Sequence, residues 1–298
     1  MQSSNSPDTF ARMLNWMGDF RGKARLADSL GRISTFWNDG RGVFPIYDGK
    51  TIAVDLNDRI QRLMWGGAYE PRVRKCLVAL LRPGDVFVDI GAHIGFFSLI
   101  ASCLVGPNGK VYAFEANPNL FRTLQTNTAK YPWIVPTPRA VWKEGGLVSF
   151  SDPQQPGETG WGKLTAIRNE GLVLTVEAIT LDDWHVSVDS TPIRAIKIDA
   201  EGSEPFILEG ARRMIARSRP MLIIELNDKL LCESGKSREV VVATLREQNY
   251  SVFAIESAKS KRTAGSNAIV SPEVLCMPSE QIAETREILD KLGIDKLG

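Results

Sequence analysis

From Val86 onward the chain alternates short, uninterrupted apolar runs with amphipathic stretches of helical period. Strands buried on both faces read as continuous apolar segments, so this rhythm predicts a parallel sheet covered by helices on both sides. The predicted strands are 86–90, 111–115, 134–138, 195–199, 221–226, 250–255 and 273–277, with helices near 95–105, 118–130, 204–217, 238–248 and 279–292. Residues 143–180 break the rhythm. Gly145, Gly146, Pro153, Pro156, Gly157, Gly160 and Gly162 interrupt the strand-like LVSF and LVLTVEAI, which predicts an inserted β-ribbon long enough to form a lid or a substrate-facing edge.

Upstream, residues 8–30 predict a helix with Phe10, Met13, Leu14 and Met17 on one face and Arg12, Arg21, Lys23 and Arg25 elsewhere. Such a helix packs on the main domain or on a second subunit. Its interleaved aromatic and basic residues also suit a membrane surface. Residues 43–55 predict a hairpin with Asp48-Gly49 as its turn, followed by helices from Arg59 and over Pro71–Leu81. Arg82-Pro83-Gly84-Asp85 then punctuates the chain. The expected organisation is an N-terminal helix and hairpin extension over 1–65 and a Rossmann-like α/β domain over 66–298.

Composition narrows the function. The hydrophobic fraction of 43% is ample for a core, and a net charge of +1 lacks the basic excess of a nucleic-acid binder. No apolar run approaches the ~18 residues of a membrane span, so stable membrane insertion is not expected. The opening MQSSNSPDTF has no signal-peptide pattern, and the four cysteines are scattered. A cytoplasmic protein is the expectation. Two histidines leave little material for a zinc site.

The chemistry begins at VFVDIGAHIGFFSL, a buried strand entering a glycine turn and then a helix. Ligands of open parallel sheets bind beyond the strand ends where the strand order reverses. A dinucleotide fingerprint starting at Gly91 would require glycine at 93 and 96, where the chain has His93 and Phe96. No phosphate-loop G-K-[ST] follows either. S-adenosylmethionine carries no phosphate and tolerates a polar side chain at 93. Glu115, ending the next strand in VYAFEANP, suits the ribose hydroxyls, in bonds worth roughly 1.5–3 kcal/mol each.

A second acidic signature lies in IKIDAEGSEPFILEGA, where Asp199 ends a strand and Glu201 follows in the turn. These two, then His93, are the candidate general bases for an acceptor hydroxyl. They could equally organise the turn by accepting backbone N–H groups. Asp199 with Glu225, Asn227 and Asp228 could supply oxygen ligands for Mg²⁺, although such carboxylates also serve plain substrate recognition, and no metal is assigned. Glu225 and Asn227, with Trp161, Lys163 and Thr165 of the insert, are the candidate acceptor wall. His185 is read as structural.

With these residues in hand, the chain resembles the FkbM-type family of S-adenosylmethionine-dependent methyltransferases. Asp89-Ile-Gly-Ala-His-Ile-Gly95, Phe114-Glu-Ala-Asn-Pro118, Arg139-Ala-Val141, Thr180-Leu-Asp-Asp183 and Lys197-Ile-Asp-Ala-Glu-Gly202 carry the resemblance, over about residues 65–230. It implies a seven-stranded sheet with an antiparallel last strand, and O-methylation of a sugar or other small-molecule hydroxyl. It further implies that Asp89, Gly91, Ala92, His93, Gly95 and Ser98 surround the cofactor's methionine part. Glu115, Ala116 and Asn117 would take the ribose and the adenine edge, and Arg139, Ala140 and Val141 would flank the base. Asp199 would sit near the sulfonium, while Tyr69 and Glu70 close over the amino-acid end. His93 departs from the family, which more often shows asparagine there. The rival readings are an NAD(P)-dependent oxidoreductase, disfavoured by His93 and Phe96, a methyltransferase of a macromolecule, and a cofactor-binding module without turnover. A homodimer through the N-terminal extension is a further expectation.

Overall fold

The computed structural model describes residues 6–36, 38–151, 163–165, 173–255 and 273–281, together with 286, 289–290 and 292–293. Two helices open the chain, α1 (Ser6–Trp16) and α2 (Lys23–Ser34), where the sequence predicts one. Gly18 and Gly22 both take positive φ, and the left-handed turn between the helices follows from them. The hairpin forms as expected from β1 (Arg41–Pro45) and β2 (Thr51–Asp55), with Asp48 and Gly49 both at positive φ in its turn. Helices α3 (Arg59–Trp65) and α4 (Pro71–Leu80) lead to the sheet.

The next elements alternate: β3 (Val86–Ile90), α5 (Phe96–Val105), β4 (Lys110–Phe114), α6 (Pro118–Thr128) and β5 (Ile134–Thr137). A short β6 (Ala140–Val141) starts a second, four-stranded sheet with β7 (Gly146–Ser151), β8 (Lys163–Thr165) and β9 (Val173–Ile179). This is the predicted ribbon. Trp161 lies outside the described residues, and Lys163 and Thr165 fall on β8. The chain then returns through α7 (Leu181–Ser187), β10 (Ala195–Ile198), α8 (Glu204–Glu209), α9 (Arg212–Ser218) and β11 (Met221–Glu225). It finishes with α10 (Asp228–Glu233), α11 (Arg238–Glu247), β12 (Tyr250–Ala254) and β13 (Glu273–Pro278). Half of the helix expected at 279–292 lies outside the described residues, and its start, Ser279–Gln281, is a 3₁₀ turn.

The main sheet has the order β12-β13-β11-β10-β3-β4-β5, and its last strand, β13, runs antiparallel to both neighbours. All seven of its strands fall where the apolar runs predict them. The strand order reverses between β3 and β10, which is the crevice position for a ligand. One face of the sheet packs with α5 and with the N-terminal extension, since Ala11, Leu14, Ala27 and Ile52 share a core with Leu77, Phe87 and Leu99. The other face packs α8, α9 and α11 through Ile207, Met214 and Leu245. His185 is buried, with Nε2 2.9 Å from the Thr191 carbonyl oxygen, a structural position as the sequence predicts.

Candidate active site

The cavity at the reversal point is walled by four strand ends and by the extension. Ile90 ends β3 and Gly91, Ala92 and His93 follow it, Phe114 ends β4 and Glu115 and Ala116 follow it, and Lys197 lies in β10 with Asp199 just beyond its end. Glu225 and Asn227 close it at β11, Arg139, Ala140 and Val141 at β6, and Ile60, Met64, Tyr69 and Glu70 from the extension side.

The glycine turn is built around its own hydrogen bonds. The N–H groups of Gly91 and Ala92 both donate to the Phe114 carbonyl, that of Gly95 to Ala92, and that of His93 to Glu115 Oε2 at 2.8 Å. These four amides are spent within the protein, so they do not form the open nest that cradles a pyrophosphate. Gly91 is required sterically. A Cβ there would lie 1.8 Å from the Asp199 carbonyl oxygen, and its φ is +76°. His93 also takes a left-handed conformation, as do Glu70 and Glu201, and all three line the cavity. Backbone strain of this kind gathers at working sites.

Glu115 is buried at the rim, and its Oε1 accepts the Asn117 N–H at 2.8 Å. Both carboxylate oxygens keep further lone pairs for ligand hydroxyls. Burial pushes its carboxyl up to about 7. Asp89 and Ser98 sit behind the wall rather than on it, joined by a 2.6 Å bond from Ser98 Oγ to Asp89 Oδ2, and Asp89 Oδ1 has no hydrogen-bond partner among the described residues. Asn117 caps α6 through its side-chain oxygen. Gly95 precedes α5 without lining the cavity.

The opposite end is anionic. Asp199, Glu201 and Glu225 each offer an oxygen within 4.8 Å of the others. Lys197, buried in β10, places Nζ 2.6 Å from Asp199 Oδ2 and 5.0 Å over the Phe97 ring. Although its own burial disfavours charge, the carboxylates of Asp199, Glu70 and Asp89 together keep it charged well above the ordinary lysine range. In return the ammonium holds Asp199 ionised against burial, below the usual carboxylate range. Glu225, hydrogen-bonded to Asp199, is driven far up by that neighbouring charge and then by burial. Asp199 and Glu225 therefore hold one proton between them, and it resides on Glu225. Glu70 is raised by burial to about 7. Burial lowers His93 to about 4, which makes its ring a neutral imidazole near pH 7.

The sequence reading missed Lys197, Phe97, Ile60 and Met64. Lys197 did carry a signal: strand side chains two apart point to one side, so a lysine in IKID must share a face with Asp199.

The electrostatics predict a pH dependence. Glu70, Glu115 and Glu204 all rise to about 7 from 4.5 because they are buried. The stability each contributes is complete below about 4.5 and is lost as pH rises through about 7. His93 opposes them over the lower half of this window, while the raised carboxyls of Glu225 and Asp89 act in the same sense as the three. The ligand-free protein is expected to melt at a higher temperature near pH 5 than near pH 8. A flat or rising profile by differential scanning fluorimetry would remove the protonated carboxyls from the account.

An apolar slot with a buried carboxylate at one end, and an acidic cluster at the other, fits an adenosine that carries a cationic tail. Residues 89–252 match the Methyltransferase FkbM domain. The chain belongs to the FkbM methyltransferase family. It is an enzyme of methyl transfer. Among relatives, it is 47% identical over 223 residues to the 31-O-demethyl-FK506 methyltransferase FkbM of Streptomyces tacrolimicus, covering 62% of this chain and 84% of that one. It is 27% identical over 180 residues to the hexuronic acid methyltransferase AglP of Haloferax volcanii, covering 57% of this chain and 71% of that one. A solved methyltransferase FkbM from Methylobacillus flagellatus aligns with a TM-score of 0.42 at 17% identity, over 76% of this chain and 56% of that one. In this FkbM family member, eleven of the fifteen residues named for the cofactor from sequence line one cavity, and Asp89, Gly95, Ser98 and Asn117 support it from outside.

Proposed function

We propose that the protein methylates a hydroxyl oxygen of a sugar or other small polyhydroxylated molecule, as the names of the hexuronic acid and 31-O-demethyl-FK506 relatives suggest. The observation that carries this reading is the Asp199–Glu201–Glu225 cluster opening into the same cavity as Glu115. When bound, S-adenosylmethionine supplies a methyl group activated by its sulfonium.

Glu115 accepts the ribose hydroxyls, and Ala140 and Val141 flank the base. Neutral His93 donates a ring N–H to the methionine carboxylate, while Glu70 accepts from its amine. Tyr69, packed 5.8 Å from both Phe96 and Phe97, closes that end against water. An alcohol is a weak nucleophile until its proton is being removed, and a positioned base is worth typically ~10²–10⁴-fold. Asp199 is held by Lys197 and by the Glu225 proton, and Glu201, at positive φ on the cavity wall with an oxygen within 4.8 Å of both acids, is the carboxylate we assign to take the acceptor's proton. Asp199 holds the geometry. Glu225 and Asn227 face the acceptor, with Trp161, Lys163 and Thr165 of the insert as further candidates.

The test compares Glu201→Gln and Asp199→Asn by kcat and by S-adenosylhomocysteine affinity. Glu201→Gln is expected to lower kcat by about 10²-fold or more with affinity kept. Normal turnover of Glu201→Gln with cofactor bound makes the base assignment wrong. The Lys197 ammonium already supplies a cation at Asp199, so activity is expected to survive excess EDTA. Loss in EDTA restored by Mg²⁺ would instead place a divalent ion on Asp199, Glu201 and Glu225.

A further inference from the structure

Helix α1 has two apolar faces, and only one is used by the core. Ala11 and Leu14 are buried, whereas Met13, Trp16, Met17 and Phe20 are 41%, 86%, 44% and 40% exposed. These four lie at i, i+3, i+4 and i+7, a second stripe that runs over the end of α1 into the turn before α2. Every residue from Trp16 to Gly22 is exposed, so the elbow between α1 and α2 projects two aromatics and a methionine into solvent.

Its charges are one-sided. Arg12, Arg21 and Arg25 are exposed around the stripe, and Asp19 is the one acid between Thr9 and Ala27. That acid is matched by two cations of α4, Arg74 at 3.2 Å and Lys75 at 3.1 Å. The same pairing ties the elbow to the cavity, since Arg74 sits one helical turn after Glu70 and its N–H donates to the Glu70 carbonyl. Asn15 Nδ2 makes a second tie, donating to the Trp65 carbonyl at the end of α3.

We propose that the α1–α2 elbow, Met13 to Arg25, docks the enzyme on an anionic lipid bilayer. Tryptophan and phenylalanine on one face with arginine around them is the chemistry of an interfacial element, in which rings enter the headgroup boundary and cations meet anionic lipid. No helix among the described residues is long and apolar enough to cross a membrane, so the contact is peripheral. A second copy of the chain fits less well. At about 150–250 Å² for a large aromatic and less for the partly covered side chains, the stripe offers on the order of 500 Å². A stable dimer needs about 800 Å² per partner. A twofold contact would also set the same arginines against each other.

The experiment is co-sedimentation of the full chain with vesicles of phosphatidylcholine alone or mixed with phosphatidylglycerol. Mass in solution and S-adenosylhomocysteine affinity are measured in parallel as controls of assembly and fold. Binding is expected to the mixed vesicles only and to weaken with salt. Trp16→Ala with Phe20→Ala should abolish it, and Arg21→Ala and Arg25→Ala should each weaken it roughly fivefold, the equivalent of about 1 kcal/mol, all with cofactor affinity unchanged. No sedimentation with mixed vesicles, or sedimentation indifferent to these substitutions, overturns the proposal. So does a dimer that Trp16→Ala with Phe20→Ala converts to monomer, which would give the stripe to a second copy.

Discussion

Glu115→Ala is expected to weaken S-adenosylhomocysteine binding by about 10²–10³-fold, from charge-assisted bonds of roughly 1.5–3 kcal/mol each. Glu115 does two jobs. Its oxygens take the N–H groups of His93 and Asn117, each at 2.8 Å, which fixes the glycine turn against the start of α6. The same carboxylate faces the cavity. Alanine leaves two amides without acceptors, so a lower melting temperature accompanies the lost affinity. Glu115→Gln sorts the two jobs, because it keeps the size while removing the charge and setting an NH₂ against one of those amides.

The proton supplies a sharper signature. Burial raises the Glu115 carboxyl to about 7, and ribose hydroxyls donate best to its ionised form. Ligand binding then favours the carboxylate and expels the proton. Affinity should increase as pH rises through about 7, with net proton release seen by calorimetry in buffers of different ionisation enthalpy. Glu115→Ala should lose part of this proton release along with the affinity, the remainder belonging to Glu70, which also rises to about 7 and meets the amine. Wild-type affinity in Glu115→Ala would sink the ribose assignment.

Much of this site was legible in the chain because its parts lie at strand ends. A fully buried parallel strand has to be apolar throughout, so the carboxylate that ends it stands out, as in VFVDIG and VYAFEA. The turn geometry was legible as well, since the residues that cross Asp199 at close range demand a glycine at 91. Local signals failed where tertiary contacts decide. The helix expected over 204–217 is two, α8 and α9, and the break falls at Gly210, where a Cβ would lie 2.4 Å from the Trp142 carbonyl of the neighbouring ribbon. That close approach belongs to a distant segment and leaves no periodicity to read. Helix α7 is not among the predicted helices, yet Thr180 caps it by accepting the Asp183 N–H at 2.9 Å, an N-terminal pattern visible in Thr180-Leu-Asp-Asp183. Lys197 was passed over for a different reason. An ammonium among isoleucines is tolerable only if carboxylates surround it, and beyond Asp199, two residues on, they come from two distant places in the chain, Glu70 and Asp89.

Lys197→Met is the most disruptive single change expected at this site. The residue is 3% exposed, and removal of its ammonium strands the buried carboxylates of Asp199, Glu70 and Asp89 without their shared cation. Breaking a buried pair from one side costs about 3–5 kcal/mol. Arginine is not an equivalent replacement, since its planar fork demands more room beside the Phe97 ring than the ammonium does. The pH dependence separates this electrostatic role from packing. In the wild type the ammonium depresses Asp199, so that carboxylate contributes stability above its unfolded value near 3.8, lost only as pH falls through its lower folded value. Without Lys197, burial and the neighbouring Glu225 and Glu70 raise Asp199 instead, and the folded protein then favours its protonated form. The stability difference between wild type and Lys197→Met should therefore be small near pH 4–5 and largest near pH 8, and urea unfolding at both measures it. The acidic limb of kcat/KM should move to higher pH in the same variant, because Asp199 must then lose a proton that in the wild type it takes up only below the usual carboxylate range. A stability difference equal at both pH values would reduce Lys197 to a packing residue and return Asp199 to contention as the base.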